Sequence, residues 1–278
     1  MAKFMKQPDK KRHTALWLTV LLLSLGLLVC AALVLLPMLT DPQTDTGGVA
    51  DETTLPSVTD PAPDGPNESE TAESTEALPD NPIDWDYYEE INDDIYAWIY
   101  VPNTGIDLPI LQPQGSEDDN YYLHRDLDRN YLYSGSLYTQ RANAKDFSDP
   151  VTLIYGHNMR REGVMFTNLL YFQDTDFFNE NEFFYIYTPG HILTYRIASA
   201  HSYDTRHILN SFDFSQEEEL QEYFDYILSP RTMVANVREG VTLTTEDHVV
   251  TLSTCIYFGS DKQRYLLQGV LVDDQQTN

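Results

Sequence analysis

Ala15 to Leu39 is a run of 25 residues without one charged side chain, and it decides which part of the chain is left to build a globule. About 20 apolar residues suffice to cross a bilayer. Lys3, Lys6, Lys10, Lys11 and Arg12 precede the run against the single acid Asp9. The positive-inside bias therefore keeps residues 1–14 in the cytoplasm and places everything after Leu39 outside the cell membrane. A cleavable signal peptide has a shorter apolar region, about 7–15 residues, that ends at a small-residue site. Leu33-Val-Leu-Leu-Pro-Met-Leu39 offers no such site, and Val29 stands where a lipoprotein signal around Cys30 needs a small residue. The expectation is an uncleaved transmembrane signal anchor over 15–39.

Residues 40–82 read as a disordered linker. Positions 41–82 hold eleven acidic residues and no Lys or Arg, among repeated Pro, Thr, Ser and Gly. Such a segment buries too little apolar surface to offset its ordering entropy, and its like charges favour extension. From Ile83 onward 32 acids stand against 12 Lys and Arg, a net charge of −20. That excludes nucleic acid as a partner, since such binding rests on neutralising phosphates with cations. The remainder, 83–278, is the one part able to fold as a domain, here expected to be extracellular.

In that domain Trp85, Tyr88, Ile91, Ile95 and Trp98 recur at spacings of three and four, which predicts an amphipathic helix within Asp84–Ile99. Short β-branched and aromatic runs follow at 97–101, 106–111, 136–139, 151–155, 183–188, 192–198, 248–254 and 265–272, bounded by turn signals such as Pro102-Asn-Thr-Gly105. About eight short strands with few helices predict a mainly β fold, a barrel or sandwich. Two helices interrupt them, a short one over 164–172 and a longer one starting at Ser215. Ser215 and Glu218 there have capping-box spacing, and Leu220, Tyr223, Phe224, Ile227 and Leu228 form one apolar stripe before Pro230. The stripe reads as core packing, although such a helix can also wall a substrate groove.

Cys255 is the one cysteine outside the 15–39 run. Secreted disulfide scaffolds use cysteines in pairs, so a single exported thiol points to intermolecular pairing or to a reactive group. A cysteine nucleophile needs a proton partner and a donor for the oxyanion formed at an attacked carbonyl. Arg264, nine residues on at the start of the next strand, returns beside Cys255 if the two strands form a hairpin. It can act as an electrostatic donor, and not as an acid, because it stays protonated. Six histidines are available: His124, His157, His191, His201, His207 and His248. Context favours His157, which follows the strand Val151-Thr-Leu-Ile-Tyr155 and Gly156, with Asn158 and Met159 next.

Thr-Leu-Ser-Thr-Cys (251–255), Tyr-Gly-His-Asn-Met (155–159) and Arg264 together resemble the signatures of the sortases, membrane-anchored cysteine transpeptidases of Gram-positive bacteria. The similarity spans about 83–272. Tyr96-Ala-Trp-Ile-Tyr-Val-Pro102, the Gly-His-Asn-Met form and the long helix after 215 resemble class B in particular. A class C sortase would be expected to carry a second, C-terminal membrane segment, whereas Asp273–Asn278 is polar.

The resemblance implies an eight-stranded sortase-type β-barrel with Cys255 as nucleophile, Arg264 as oxyanion donor and His157, as imidazolium, protonating the leaving amine. Ser253, Thr254 and Asn158 are candidate substrate contacts, with a structural role equally open for the two strand residues. The implied partners are secreted surface proteins carrying a C-terminal sorting signal and an amine acceptor on the peptidoglycan precursor or a pilin. Class B relatives serve both Asn-Pro-Gln-Thr-type and Leu-Pro-x-Thr-Gly-type signals. No cofactor and no metal are expected: no Asp-x-Asp-x-Asp-Gly spacing occurs, and Glu117-Asp-Asp119 reads as a solvated loop. The segment Ile256-Tyr-Phe-Gly-Ser260 is more apolar than class B leads one to expect.

Overall fold

A computed structural model of the chain describes residues 78–159, 163–256 and 263–278. The expected cytoplasmic tail, membrane anchor and residues 40–77 of the linker lie outside them, as do 257–260 of the apolar segment after Cys255. Among the described residues no helix is long and apolar enough to cross a membrane.

Nine strands form one sheet: β1 (Ile95–Val101), β2 (Ile106–Leu111), β3 (Leu137–Tyr138), β4 (Val151–Tyr155), β5 (Phe183–Thr188), β6 (His191–Tyr203), β7 (Ala235–Val237), β8 (Val249–Cys255) and β9 (Arg264–Gln276). Their order is β5-β1-β2-β3-β4-β8-β9-β6-β7, and β5 also pairs with β6. That last pairing closes eight strands into a barrel and leaves the three-residue β7 as a flange on β6. Closure removes the open edges an eight-stranded sheet would otherwise expose. The β2–β3 and β4–β8 pairs are parallel.

Side-chain alternation along the strands builds two cores. Ile154 of β4, Val250 and Leu252 of β8, and Tyr265 and Leu267 of β9 point into the barrel, where they meet Ile99, Phe166, Phe184 and Ile197. Val151, Leu153, Val249, Leu266 and Val270 point outward and are covered by Leu220, Tyr223, Phe224 and Ile227 of the helix Glu217–Leu228. The apolar stripe is therefore core packing. Burial on both faces explains why β4, Val-Thr-Leu-Ile-Tyr, is a nearly continuous hydrophobic run. Polar groups under the helix are paired: Gln268 donates to the Tyr223 hydroxyl at 3.1 Å, and the fully buried His201 and Ser199 both meet the Gln268 amide oxygen at 2.8 Å.

Four α-helices accompany the barrel: α1 (Trp85–Ile91), α2 (Thr175–Glu180), α3 (Ile208–Ser211) and α4 (Glu217–Leu228). The helix expected to reach Ile99 stops at Ile91. Asn92 leaves the helical conformation to place its amide on the Tyr122 hydroxyl and the Leu127 carbonyl. Ile95 and Trp98 then join a strand paired with β2 and β5, and this two-sided ladder overrides the helical spacing. The helix expected over 164–172 is a 3-10 turn over Thr167–Gln173. The Ser215–Glu218 capping box does not form. Ser215 gives its hydroxyl to the Asp213 carboxylate at 2.6 Å, while Glu219 accepts the Asp213 backbone N–H at 2.7 Å. The N-cap is Gln216, so Ser215 stands one residue outside the cap position, and α4 begins at Glu217 on three acids that suit its N-terminal dipole. Neither α2 nor β7 was expected from the pattern.

Candidate active site

The register of two strand pairs assembles the site. In the antiparallel β8–β9 pair Cys255 lies directly opposite Arg264, and an Arg264 Nη1 hydrogen is donated to the Cys255 Sγ at 3.0 Å. In the parallel β4–β8 pair Tyr155 lies beside Ser253. Both chains continue in the same direction, so two residues further on His157 comes alongside Cys255. The Gly156 N–H, donated to the Ser253 carbonyl at 3.1 Å, extends this alignment one residue past the ladder. A side chain at 156 is excluded, because its Cβ would fall 2.4 Å from Leu137 and 2.6 Å from Phe166.

The His157 ring is held from the 3-10 turn Tyr121–His124. Its Nε2 lies 2.9 Å from the Leu123 carbonyl. A carbonyl only accepts, so Nε2 carries the proton and Nδ1 of the neutral ring keeps its lone pair. His124 and Tyr133 lie against the same ring with centroids at 5.2 and 6.0 Å. Gly135 keeps this turn in place: it sits at φ +59°, and a Cβ there would stand 2.2 Å from the Leu123 oxygen. Burial pushes the His157 pKa down; the Leu123 carbonyl opposes this, and the charges of His124 and Arg264 add to the lowering. The resting ring is therefore neutral near pH 7. Desolvation disfavours the charged form, so the ring becomes an imidazolium only on taking up a proton.

One cavity of about 590 Å³ is lined by Cys255, Arg264, His157, Asn158, Ser253 and Thr254, so it holds every site residue named from the sequence. Within it the six differ in what they touch. Asn158, 3 % exposed, donates its amide to the backbone carbonyls of Cys255 at 2.8 Å and Ile256 at 3.2 Å. Ser253 and Thr254 are buried, and the Thr254 hydroxyl has no hydrogen-bond partner among the described residues. Of the six histidines, His124 and His207 join His157 on the cavity wall. His191 pairs with Asp274 at the far end of β6, His201 is in the outer core and His248 rests on the Asp149 carbonyl.

Sequence reasoning passed over the rest of the lining. Tyr138 and Tyr155 stack at 5.4 Å, and His207 leans on Tyr155 at 6.2 Å. His207 Nε2 is fixed on Gln140, which is fixed in turn on Asn120. Tyr138 and Tyr155 each end a strand, which hints at their place, but nothing in the sequence pairs 207 with 140. The wall after β6 comes from residues 203–208, and α4 takes no part in it. Asp119 pairs with Arg141 at 2.7 Å, and among the described residues no three His, Cys, Asp or Glu side chains could together hold a metal ion.

Comparisons with known proteins converge on this architecture. The family model for the sortase domain matches residues 99–272. Sortase B of Listeria monocytogenes is 30 % identical over 187 residues, 66 % of this chain and 72 % of that protein. The crystal structure of Clostridium perfringens sortase B superposes with a TM-score of 0.57 at 28 % identity, covering 68 % of this chain and 100 % of that one. A Streptococcus pyogenes class B sortase involved in pilus biogenesis gives 0.58 at 30 % identity, covering 68 % and 98 %.

Proposed function

This chain belongs to the sortase family and is most similar to its class B members, and on that premise we propose that it is a cysteine transpeptidase using Cys255, His157 and Arg264. The observation that carries the reading is the hydrogen bond from Arg264 to the Cys255 sulfur, with His157 brought alongside by the β4–β8 register. A guanidinium at 3.0 Å stabilises the thiolate. The sulfur attacks the backbone carbonyl of a threonine in a sorting signal, forming a carbon–sulfur bond, and the Arg264 guanidinium stabilises the negative charge that develops on the carbonyl oxygen. His157, neutral at rest, takes up the thiol proton at Nδ1 and delivers it to the leaving amine as the carbon–nitrogen bond breaks. An incoming amine then attacks the thioester carbonyl and gives its proton to neutral His157, the carbon–sulfur bond breaks, and the proton passes back to the sulfur, restoring the resting thiol and the neutral ring.

The proposed substrates are secreted surface proteins with a C-terminal sorting signal, and the proposed acceptor is an amine of a peptidoglycan precursor or pilin. A membrane anchor at 15–39 would put the domain where such substrates emerge. The test incubates the full chain with Asn-Pro-Gln-Thr-type and Leu-Pro-x-Thr-Gly-type peptides, with and without an added amine. A thioester on Cys255 and an amine-joined product are expected with one of the two. Cleavage at one rate with or without amine, and no joined product, would make the protein a hydrolase instead.

The direction of the His157 shift gives this mechanism a pH signature. Neutral His157 is the working form, and burial holds its pKa below the usual value of about 6.5. The acid limb of kcat/KM is therefore expected to inflect below about pH 6.5, with activity rising as pH increases through it. Activity that falls across that interval would mean that the imidazolium is the working form. The same shift is linked to stability: His157 binds fewer protons when folded, so its contribution is present above about pH 6.5 and is lost as pH falls through the folded value.

A further inference from the structure

We propose that Asn158 is a positioning residue that fixes the nucleophile relative to its proton partner, by holding with one side-chain amide the backbone carbonyls of Cys255 and Ile256 just past the end of the β4–β8 ladder. The inference rests on the transpeptidase reading for its kinetic consequence, but its geometric content stands on the hydrogen bonds alone. β4 ends at Tyr155, and its ladder with β8 ends at the Tyr155–Ser253 pair. The chain then turns through Gly156, whose N–H still reaches the Ser253 carbonyl. Past that point the carbonyls of Cys255 and Ile256 each take a donor from a side chain.

Asn158 supplies both. Its Nδ2 donates one hydrogen to the Cys255 carbonyl at 2.8 Å and the other to the Ile256 carbonyl at 3.2 Å. The assignment of nitrogen and oxygen is fixed by chemistry, since two carbonyls can only accept. The residue is 3 % exposed, so neither bond competes with bulk water. Its own backbone is anchored on the other side by an isolated bridge to Met165. It adjoins His157 in sequence, and a single hydrogen bond links it to Cys255. A shift of the Asn158 side chain therefore moves sulfur and imidazole relative to each other. A misplacement of about 1 Å can lower a rate by about 100-fold.

The test compares Asn158→Asp with the natural chain, both full length in detergent micelles. Aspartate keeps the shape of asparagine but, as a carboxylate, has no hydrogen for either carbonyl. The expected result is a kcat lower by about 10- to 100-fold with KM changed less than about threefold. A second arm follows alkylation of Cys255 by iodoacetamide against pH, with peptide mapping to separate it from Cys30. The midpoint is expected to move to higher pH, in the uncharged variant Asn158→Ser as well, as the sulfur leaves the Arg264 guanidinium.

A raised KM at unchanged kcat would overturn the proposal and make Asn158 a substrate contact. An unchanged alkylation curve beside a lowered kcat would overturn it too. If Asn158→Asp does not fold, Asn158→Ser decides, because its hydroxyl can serve one of the two carbonyls. A smaller fall in kcat, about 3- to 10-fold with KM held, is then expected, and natural kcat would refute the role. The alkylation arm needs no peptide. A natural chain that joins no peptides would thus count against the transpeptidase reading and leave the positioning role to be judged separately.

Discussion

Cys255→Ala is expected to abolish both thioester formation and the joined product, lowering kcat/KM by more than about 10⁴-fold. Removal of a covalent nucleophile costs on that order, because the remaining groups act only through it. The fold should survive. Cys255 stands at the end of β8, partly exposed and outside the main core clusters, so thermal unfolding is expected to shift by no more than a few degrees. The measurement is peptide turnover together with mass analysis for the acyl adduct. Residual activity above one part in a thousand from the folded variant would remove Cys255 from the role of nucleophile and leave the protein as a binding module or a differently organised enzyme.

Arg264→Ala is expected to lower kcat by about 10²–10³-fold, the range seen on deleting one oxyanion donor. Arg264→Lys should not restore it. The Arg264 fork reaches the sulfur from the first residue of β9, and a lysine presents a single mobile ammonium on a different geometry. A second readout separates the electrostatic role from a structural one. The Arg264 charge helps to hold the His157 pKa down, so its removal should move the acid limb of kcat/KM upward. If both variants turn over within about threefold of the natural chain, the oxyanion role fails; if kcat falls and the acid limb stays where it was, the coupling to His157 fails.

How much of this was legible in the sequence depended on the range of the interaction that decides each element. Five of the eight strand runs were bounded well by β-branched residues and turn signals, because those signals are local. The first strand was legible too, yet the helical spacing of Trp85, Ile91, Ile95 and Trp98 ran into it. Pairing of Ile95 and Trp98 with β2 decided the matter, and with no alignment a single chain carries no sign of that partner. The capping box failed because the helix starts one residue later than its spacing implies, with Gln216 and not Ser215 at the cap. β6 and β9 run to 13 residues each, well past their apolar runs, because they pair with each other along almost their whole length.

The catalytic trio was legible as three residue types in motif contexts. Its neighbours were not. His124, Tyr133 and the Leu123 carbonyl reach His157 through a turn some thirty residues away, and His207 meets Gln140 across the cavity. Asn158 adjoins His157 in sequence, but that its amide donates to the Cys255 carbonyl is seen only in the structure.

By itself the sequence determined which residues can do chemistry here, through a single cysteine outside the 15–39 run, an arginine nine positions on and a histidine at a strand end. It also determined that the acidic, apolar-poor stretch before Ile83 cannot build a core, because burial and ordering entropy depend on composition. The tertiary structure alone decided that these groups meet. A parallel register between β4 and β8 brings 157 beside 255, and an antiparallel register between β8 and β9 brings 264 opposite 255. The same packing decided that His157 rests neutral, since desolvation is a property of what surrounds a ring and not of the ring itself.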